Sequence, residues 1–224
     1  MRFVTPVLIA CVMAASAQMS TRPPLVRAVG IGTVSVQPDQ ARIDFSVITT
    51  ATTAQSAASQ NATQVGTLIA ALQALLGTTG NVQTIGYSLG PNYNYPPNGT
   101  PVLTGYTASN TVEVSANDLS MAGAIIDTGV QAGATNVQSL QFTLKNPDPA
   151  KQQALTLATT QAKAHATAMA SGVGMHTGGV HSISEEVSAS LPPGIAAPGA
   201  NTTPVLPGLI NVTATVTLEV DLTP

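Results

Sequence analysis

The sequence predicts an α+β protein, in which mainly antiparallel sheets carry helices packed on one face. Several segments alternate apolar and polar residues with a period of two, as half-buried strands do, and the clearest is residues 208–222. Other segments repeat apolar residues at intervals of three and four, which is typical of amphipathic helices. Short links join neighbouring strands, and the predicted element order is ββα-ββ-αβα-ββ.

The first two strands are predicted to form a β-hairpin over residues 29–50. Pro38 fixes φ near the value that the second position of a turn needs, and Asp39 can bond to its own backbone, so residues 37–40 are assigned to the turn. The second arm has an apolar row that we expect to face the core, formed by Ala41, Ile43, Phe45 and Val47.

The remaining elements follow from the same two periodicities. A helix is predicted at 51–76, then strands at 82–89 and 102–116 around a Pro-, Asn- and Gly-rich loop at 90–101. Asn117 or Asp118 caps a helix at 119–132, a strand covers 136–144, and an alanine-rich helix runs from Pro149 to about Ser171. The last strands, 180–187 and 208–222, flank a Pro-rich loop at 188–207. This order allows two βαβ-type halves, 26–116 and 117–223, in one domain of residues 26–223.

The N-terminus predicts a secretory signal peptide at residues 1–17. Arg2 provides the positive end, an apolar run too short to span a bilayer follows, and small residues precede a cleavage point after Ala17. A buried N-terminal helix is the alternative. The stretch ending in Cys11 resembles a lipobox, so Cys11 is either a lipid anchor or part of the discarded segment. We therefore expect the periplasm, or secretion from a bacterial cell, with membrane association only if Cys11 is lipidated.

Charged residues are scarce, at 8% of the chain, and the formal net charge is −3. Nucleic-acid binding depends on clustered Lys and Arg, and no basic run exists, so this class of partner is disfavoured. A surface built from uncharged polar side chains tolerates self-association, because little charge keeps the copies apart.

All four tyrosines, Tyr87, Tyr93, Tyr95 and Tyr106, fall in one twenty-residue window around the Pro-rich loop at 90–101. Exposed tyrosines suit contact surfaces, because they offer a large area at a low entropy cost. Two interpretations stay open at this point. The four residues form an interaction surface, or their rings cover the edge of a sheet.

Motifs for catalysis are weak, and we expect neither enzymatic activity nor a cofactor or metal. His165 falls on the inward stripe of the alanine-rich helix, where a core or interface histidine is expected. His176, His181 and Glu185 do not follow a familiar metal spacing, although they allow a metal-assisted hydrolase as a remote alternative. No Gly-x-Ser-x-Gly nucleophile elbow is present.

An ordered set of short matches over about residues 26–220 resembles the SIMPL-domain family, whose function is unknown. The matching pieces are residues 29–32, 34–41, the helix carrying Asn61, the strand with Gln83, Thr84 and Tyr87, the tyrosine loop, 105–110, Ile126-Asp127, Gly133-Ala134 and 151–170. The resemblance implies an exported α+β domain without established catalytic residues. It also implies a large hollow, ring- or channel-like oligomer and a link to envelope stress.

The function expected from these observations is that of a non-enzymatic, exported envelope protein that self-assembles. Its contacts would involve the tyrosine-containing loop at 90–101, the Pro-rich loop at 188–207 and sheet edges. A periplasmic module that binds a small ligand is the main alternative, and it predicts a concave pocket with convergent polar groups.

Overall fold

The computed structural model describes residues 24–97, 99–190 and 205–224. The predicted signal peptide, the predicted lipid site at Cys11 and most of the predicted loop at 188–207 therefore lie outside the described residues. Among the described helices, none combines the length and the apolar character that crossing a membrane requires.

The described strands and helices follow the predicted order, which confirms the α+β class. They are β1 (Leu25–Val36), β2 (Gln40–Ala51), α1 (Ala54–Leu76), β3 (Gly80–Asn94), β4 (Val102–Ala116), α2 (Ala122–Gln131), β5 (Asn136–Thr143), α3 (Asp148–Gly172), β6 (His176–Ser190) and β7 (Ile210–Thr223). A short 3₁₀ turn, Leu119–Met121, precedes α2, and the Asp118 carboxylate caps it.

Two antiparallel sheets form the framework. The four-stranded sheet has the order β3-β4-β2-β5, and the three-stranded sheet has the order β1-β7-β6. The strands of each sheet therefore come from both of the stretches 26–116 and 117–223. The outer strands, which have a neighbour on one side within these sheets, are β3, β5, β1 and β6.

The predicted hairpin at residues 29–50 is wrong. Strand β1 pairs with β7 over its whole length, and β2 pairs with β4 and β5 in the other sheet. Residues 37–39 are therefore a link between sheets. Asp39 fixes this link to the end of β5, because its N–H donates to the Thr143 carbonyl and its carboxylate accepts from the Lys145 N–H.

The core of the four-stranded sheet lies between β2, β4 and the helices α1 and α2. The apolar row predicted for β2 is fully buried there, and α1 contributes one side chain per turn. These α1 residues are Ala57, Asn61, Val65, Leu68, Leu72 and Leu76. The period of the sequence thus selects the face of the helix that meets the sheet.

The second core joins α3 to β1 and β7. The buried residues of α3 recur every four positions and are all alanine, namely Ala150, Ala154, Ala158, Ala162, Ala166 and Ala170. They approach β1 at Gly30 and Gly32, where even a single methyl group would collide with the helix backbone. Small residues on both sides therefore bring the helix axis close to the strand.

Of the two environments expected for His165, a core and an interface, the structure excludes the core. Its side chain is exposed and its Nδ1 lies 2.8 Å from the Val29 carbonyl oxygen, to which it donates. The Gln161 side-chain oxygen accepts a hydrogen bond from the neighbouring N–H of Ile31. Both contacts satisfy backbone groups of the outer strand β1, so α3 shields that sheet edge.

Candidate interaction surfaces

Strands β3 and β4 form a hairpin that extends past the rest of its sheet. Strand β4 pairs with β3 as far as Val102, whereas β2 ends opposite Tyr106. Residues 92–97 and 99–105, called the hairpin arm below, therefore have no third strand beside them. The loop predicted at 90–101 is correspondingly shorter than expected, because β3 continues to Asn94.

Three of the four tyrosines are exposed on this hairpin. The exposed fraction is 72% for Tyr95, 55% for Tyr87 and 47% for Tyr93, while Tyr106 is half-buried. The rings of Tyr93 and Tyr95 lie with centroids 6.4 Å apart and planes tilted by 54°. Tyr87 is directly opposite Asn110, on the face of the sheet that carries α1. Among the described residues Tyr93 and Tyr95 are the only rings in contact, so the four rings do not form one cluster.

The hairpin is largely apolar, and its single charged residue, Glu113, lies near the end of β4 that is remote from the hairpin arm. Residues 45–112 contain no Asp, Glu, Lys, Arg or His. Seven large apolar or aromatic side chains on β3, β4 and their connection are exposed: Ile85, Tyr87, Leu89, Tyr93, Tyr95, Val102 and Leu103. Soluble proteins commonly place charged residues on exposed strand edges to prevent association, and the outer strand β3 has none.

A second uncovered apolar surface lies on β6. Val180 and Ile183 stand opposite Val220 and Leu218, on the face that carries α3, yet they are 59% and 57% exposed. They remain exposed because α3 packs mainly on β1 and β7. Between the helix and this strand is a cavity of about 100 Å³, called the α3–β6 groove below, which is lined by Lys163, Ala166, Thr167, Thr177, Gly178, Val180, Leu218 and Val220.

Val180 and Ile183 were not among the residues predicted from the sequence to form a contact surface. A signal was present in the strand itself, because Glu185 continues the same alternating row as Ile183. A carboxylate in that row indicates a face that is open to water.

The histidines of β6 do not form a site for a metal ion. His176, His181 and Glu185 are all exposed, and the His181 Nδ1 lies 3.7 Å from the Asp221 carboxylate. In the part of the chain that the structure describes, no group of three or more His, Cys, Asp or Glu side chains could hold a metal.

A shallow groove of about 660 Å³ runs between α1 and the end of α2. Its lining consists of hydroxyl and amide side chains with two small residues: Thr49, Ser59, Gln60, Thr63, Gln64, Thr67, Gln131, Ala132 and Gly133. Several of these hydroxyls donate to carbonyl oxygens of the same region, as Thr49 does to Ala57 and Thr63 does to Ser59. The groove offers hydrogen-bonding groups without charge.

These features define a class of protein with two helix-backed antiparallel sheets, each of which has a long outer strand that exposes apolar side chains. The family model described as "SIMPL: Protein of unknown function (DUF541)" matches residues 26–220. The chain therefore belongs to the SIMPL family, as the ordered motifs predicted.

Individual relatives are distant but cover most of the chain. The 26 kDa periplasmic immunogenic protein of Brucella melitensis is 30% identical over 183 residues, which are 80% of this chain and 73% of the relative. The uncharacterized protein YggE of Edwardsiella ictaluri is 29% identical over 198 residues, 85% of this chain and 83% of the relative. YggE of Escherichia coli K12 is 28% identical, with 79% and 71% covered.

Proposed function

We propose that this protein is a non-enzymatic, exported envelope protein that works by assembling with copies of itself. The observation that carries the proposal is the β3–β4 hairpin, which has no charged residue from Gly80 to Val112 and exposes seven large apolar or aromatic side chains to water. Exposing such a surface costs free energy, and contact with a partner recovers it. Another copy of the chain is a suitable partner, because its charge is equally sparse and little repulsion opposes its approach.

Export to the periplasm and a ring- or channel-like form belong to the same proposal. Export is supported by the predicted signal at residues 1–17 and by the name of the Brucella relative. The closed form is supported by the family resemblance and by symmetry, since closed point groups are the usual form of soluble homo-oligomers.

The mass of the protein in solution tests the proposal. The chain, expressed with its own N-terminal segment and purified from the periplasm, is measured by size-exclusion chromatography with light scattering and by native mass spectrometry. We expect one discrete species whose mass is a multiple of the single-chain mass. A single-chain mass at micromolar concentration would refute self-assembly.

A role in envelope stress is proposed on the family resemblance alone. A deletion strain should survive peroxide treatment less well than its parent, and the intact gene should restore survival. Equal survival of the two strains would contradict this role.

Binding of a neutral ligand is a second candidate function, and the groove between α1 and α2 favours it. Hydroxyl and amide side chains such as Gln60, Gln64 and Gln131 can bond to an uncharged polyol or sugar without the cost of burying a charge. The test is a thermal shift with a panel of neutral saccharides, with Gln64→Ala as the variant that loses the shift. An unchanged melting temperature across the panel would remove this candidate.

A further inference from the structure

We propose that the hairpin arm of one copy docks in the α3–β6 groove of the next copy. This inference rests on the proposed self-assembly, and it names the two surfaces that meet. Each chain carries one hairpin arm, on its four-stranded sheet, and one groove, on its three-stranded sheet. The contact is heterologous, and repeating it produces a chain of copies that can close into a ring.

The groove provides an apolar floor with one cation at its rim. Leu218 and Val220 form the base, the exposed Val180 and Ile183 extend it along β6, and Lys163 lines one wall. No carboxylate of the described residues lies within 4.0 Å of the Lys163 ammonium group. An aromatic ring fits this chemistry, because it buries apolar area and offers its π-face to the ammonium.

The hairpin arm supplies such rings. Tyr93 and Tyr95 stand together near its end, and Val102 and Leu103 add apolar area on the opposite strand. The groove volume of about 100 Å³ is of the size of one large side chain rather than of a whole ligand. Because each tyrosine also has a hydroxyl group, it can remain hydrogen-bonded at a wet rim.

Pairing of β6 with the β6 of another copy is disfavoured by charge. The longest regular stretch of this outer strand is residues 182–190, and it contains Glu185 and Glu186. A two-fold antiparallel pairing centred on this stretch places the Glu186 side chains of the two copies opposite one another. Like charges in those positions destabilise a sheet. The hairpin arm, by contrast, brings no charge to this strand.

Pairing of β3 with the β3 of another copy is hindered by backbone geometry. The register of β3 shifts between Thr84 and Gly86 and again between Asn92 and Tyr93, and Pro91 has no N–H to donate. Bulges and proline are devices that prevent edge-to-edge pairing. The arm is therefore better suited to side-chain docking than to strand addition along its whole length.

Mixing two variants distinguishes a heterologous contact from a two-fold one. The arm variant is Tyr93→Ser with Tyr95→Ser, and the groove variant is Val180→Thr with Ile183→Thr, which keeps branched side chains in the strand. Each variant alone should have the single-chain mass. An equimolar mixture should form a dimer and stop there, because one intact arm meets one intact groove.

Controls separate docking from folding and from the proposed function. Val130→Ser, at an exposed apolar position on α2, should assemble like the wild type, and circular dichroism melting should show all variants folded. If the wild type assembles but the mixture stays monomeric, or if either variant alone assembles fully, the arm-to-groove contact is refuted while self-assembly stands. A monomeric wild type refutes both.

Discussion

At the scale of single residues, Asn61 shows how a polar group enters the core. It is 1% exposed, and its side-chain amide donates to the carbonyl oxygens of Val47 at 2.9 Å and Ala108 at 3.3 Å. One amide of α1 therefore connects the helix to both central strands of the four-stranded sheet. A buried amide is tolerated because its donors are satisfied.

Replacing Asn61 with Leu should lower the free energy of unfolding by about 1–3 kcal/mol. Leucine fills a similar volume but leaves two buried carbonyl oxygens without this donor, and an unsatisfied buried group costs that amount. Urea unfolding measures the change. Gln60→Leu, an exposed neighbour on the same helix, is the control and should change the value by less than about 0.5 kcal/mol. Equal effects of the two substitutions would contradict the role of Asn61.

Asp118 gives the turn before α2 a pH dependence. The Ser120 hydroxyl donates to its carboxylate at 2.6 Å and the Ser120 N–H donates at 3.0 Å, and these bonds hold the pKa of Asp118 below its usual value of 3.8. Because the pKa is depressed in the folded state, the ionised carboxylate contributes its full stabilisation at pH values above the usual pKa. The contribution is lost as pH falls through the folded pKa.

The variant Asp118→Asn should isolate this contribution, because asparagine caps a helix but does not titrate. The difference in melting temperature between wild type and variant should be constant above about pH 5 and should change only below about pH 4. Scanning calorimetry across this range measures it. Ser120→Ala should weaken the pH dependence, since it removes the shortest bond to the carboxylate. A difference that already varies between neutral pH and about pH 5 would contradict the assignment.

At the scale of elements, the contact between α3 and β1 sets the geometry of the three-stranded sheet. A Cβ atom at Gly30 would lie 2.0 Å from the Ala158 carbonyl oxygen and 2.4 Å from the Ala162 nitrogen. Both are backbone atoms of a helix, so they cannot move aside as a flexible side chain could. Glycine is required here because the helix backbone lies too close to the strand for a side chain. The sequence alone shows only that the strand contains glycines.

Gly30→Ala should therefore destabilise the protein by at least about 2 kcal/mol, within the usual range for overpacking a rigid core. The denaturant midpoint reports the change, provided that the slope of the transition is unaltered. Gly90→Ala provides the control, because it also lies in a strand but has no atom within 4 Å of the added carbon. Similar midpoints for the two variants would show that the helix can move away from β1.

At the scale of the whole molecule, the helices of each sheet leave part of an outer strand uncovered. Helix α1 packs on β2, β4 and the beginning of β3, and α3 leaves Val180 and Ile183 of β6 exposed. The outer strand β1 is shielded by α3 instead. The open surfaces thus lie on different sheets and are two distinct patches, and head-to-tail contacts join two distinct patches.

Assembly through these surfaces should depend little on ionic strength. The hairpin arm brings no charge to the contact, and salt weakens mainly interactions between exposed charges. The oligomer mass should therefore be unchanged between about 0.05 M and about 0.5 M sodium chloride, and sulfate should strengthen association. Dissociation at the higher concentration of sodium chloride would show that ion pairs hold the copies together.

Of the two surfaces in the proposed contact, the sequence could predict the one that carries the tyrosines. The tyrosine window was identified because all four rings fall between residues 87 and 106. The groove on β6 could not be identified in the same way, because its walls come from α3, β6 and β7. The exposure of Val180 and Ile183 depends on where α3 crosses the sheet, and that is a property of packing.

The sequence by itself determined the element types, their order and most of the faces that are buried, because these follow from periodicities among neighbouring residues. Only the tertiary structure decided which strands pair. Strand β1 joins β7 from the far end of the chain rather than the adjacent β2, and the helix-facing glycines of β1 receive α3. Pairing depends on which distant surfaces fit together, and local alternation in a strand is the same whichever partner it meets.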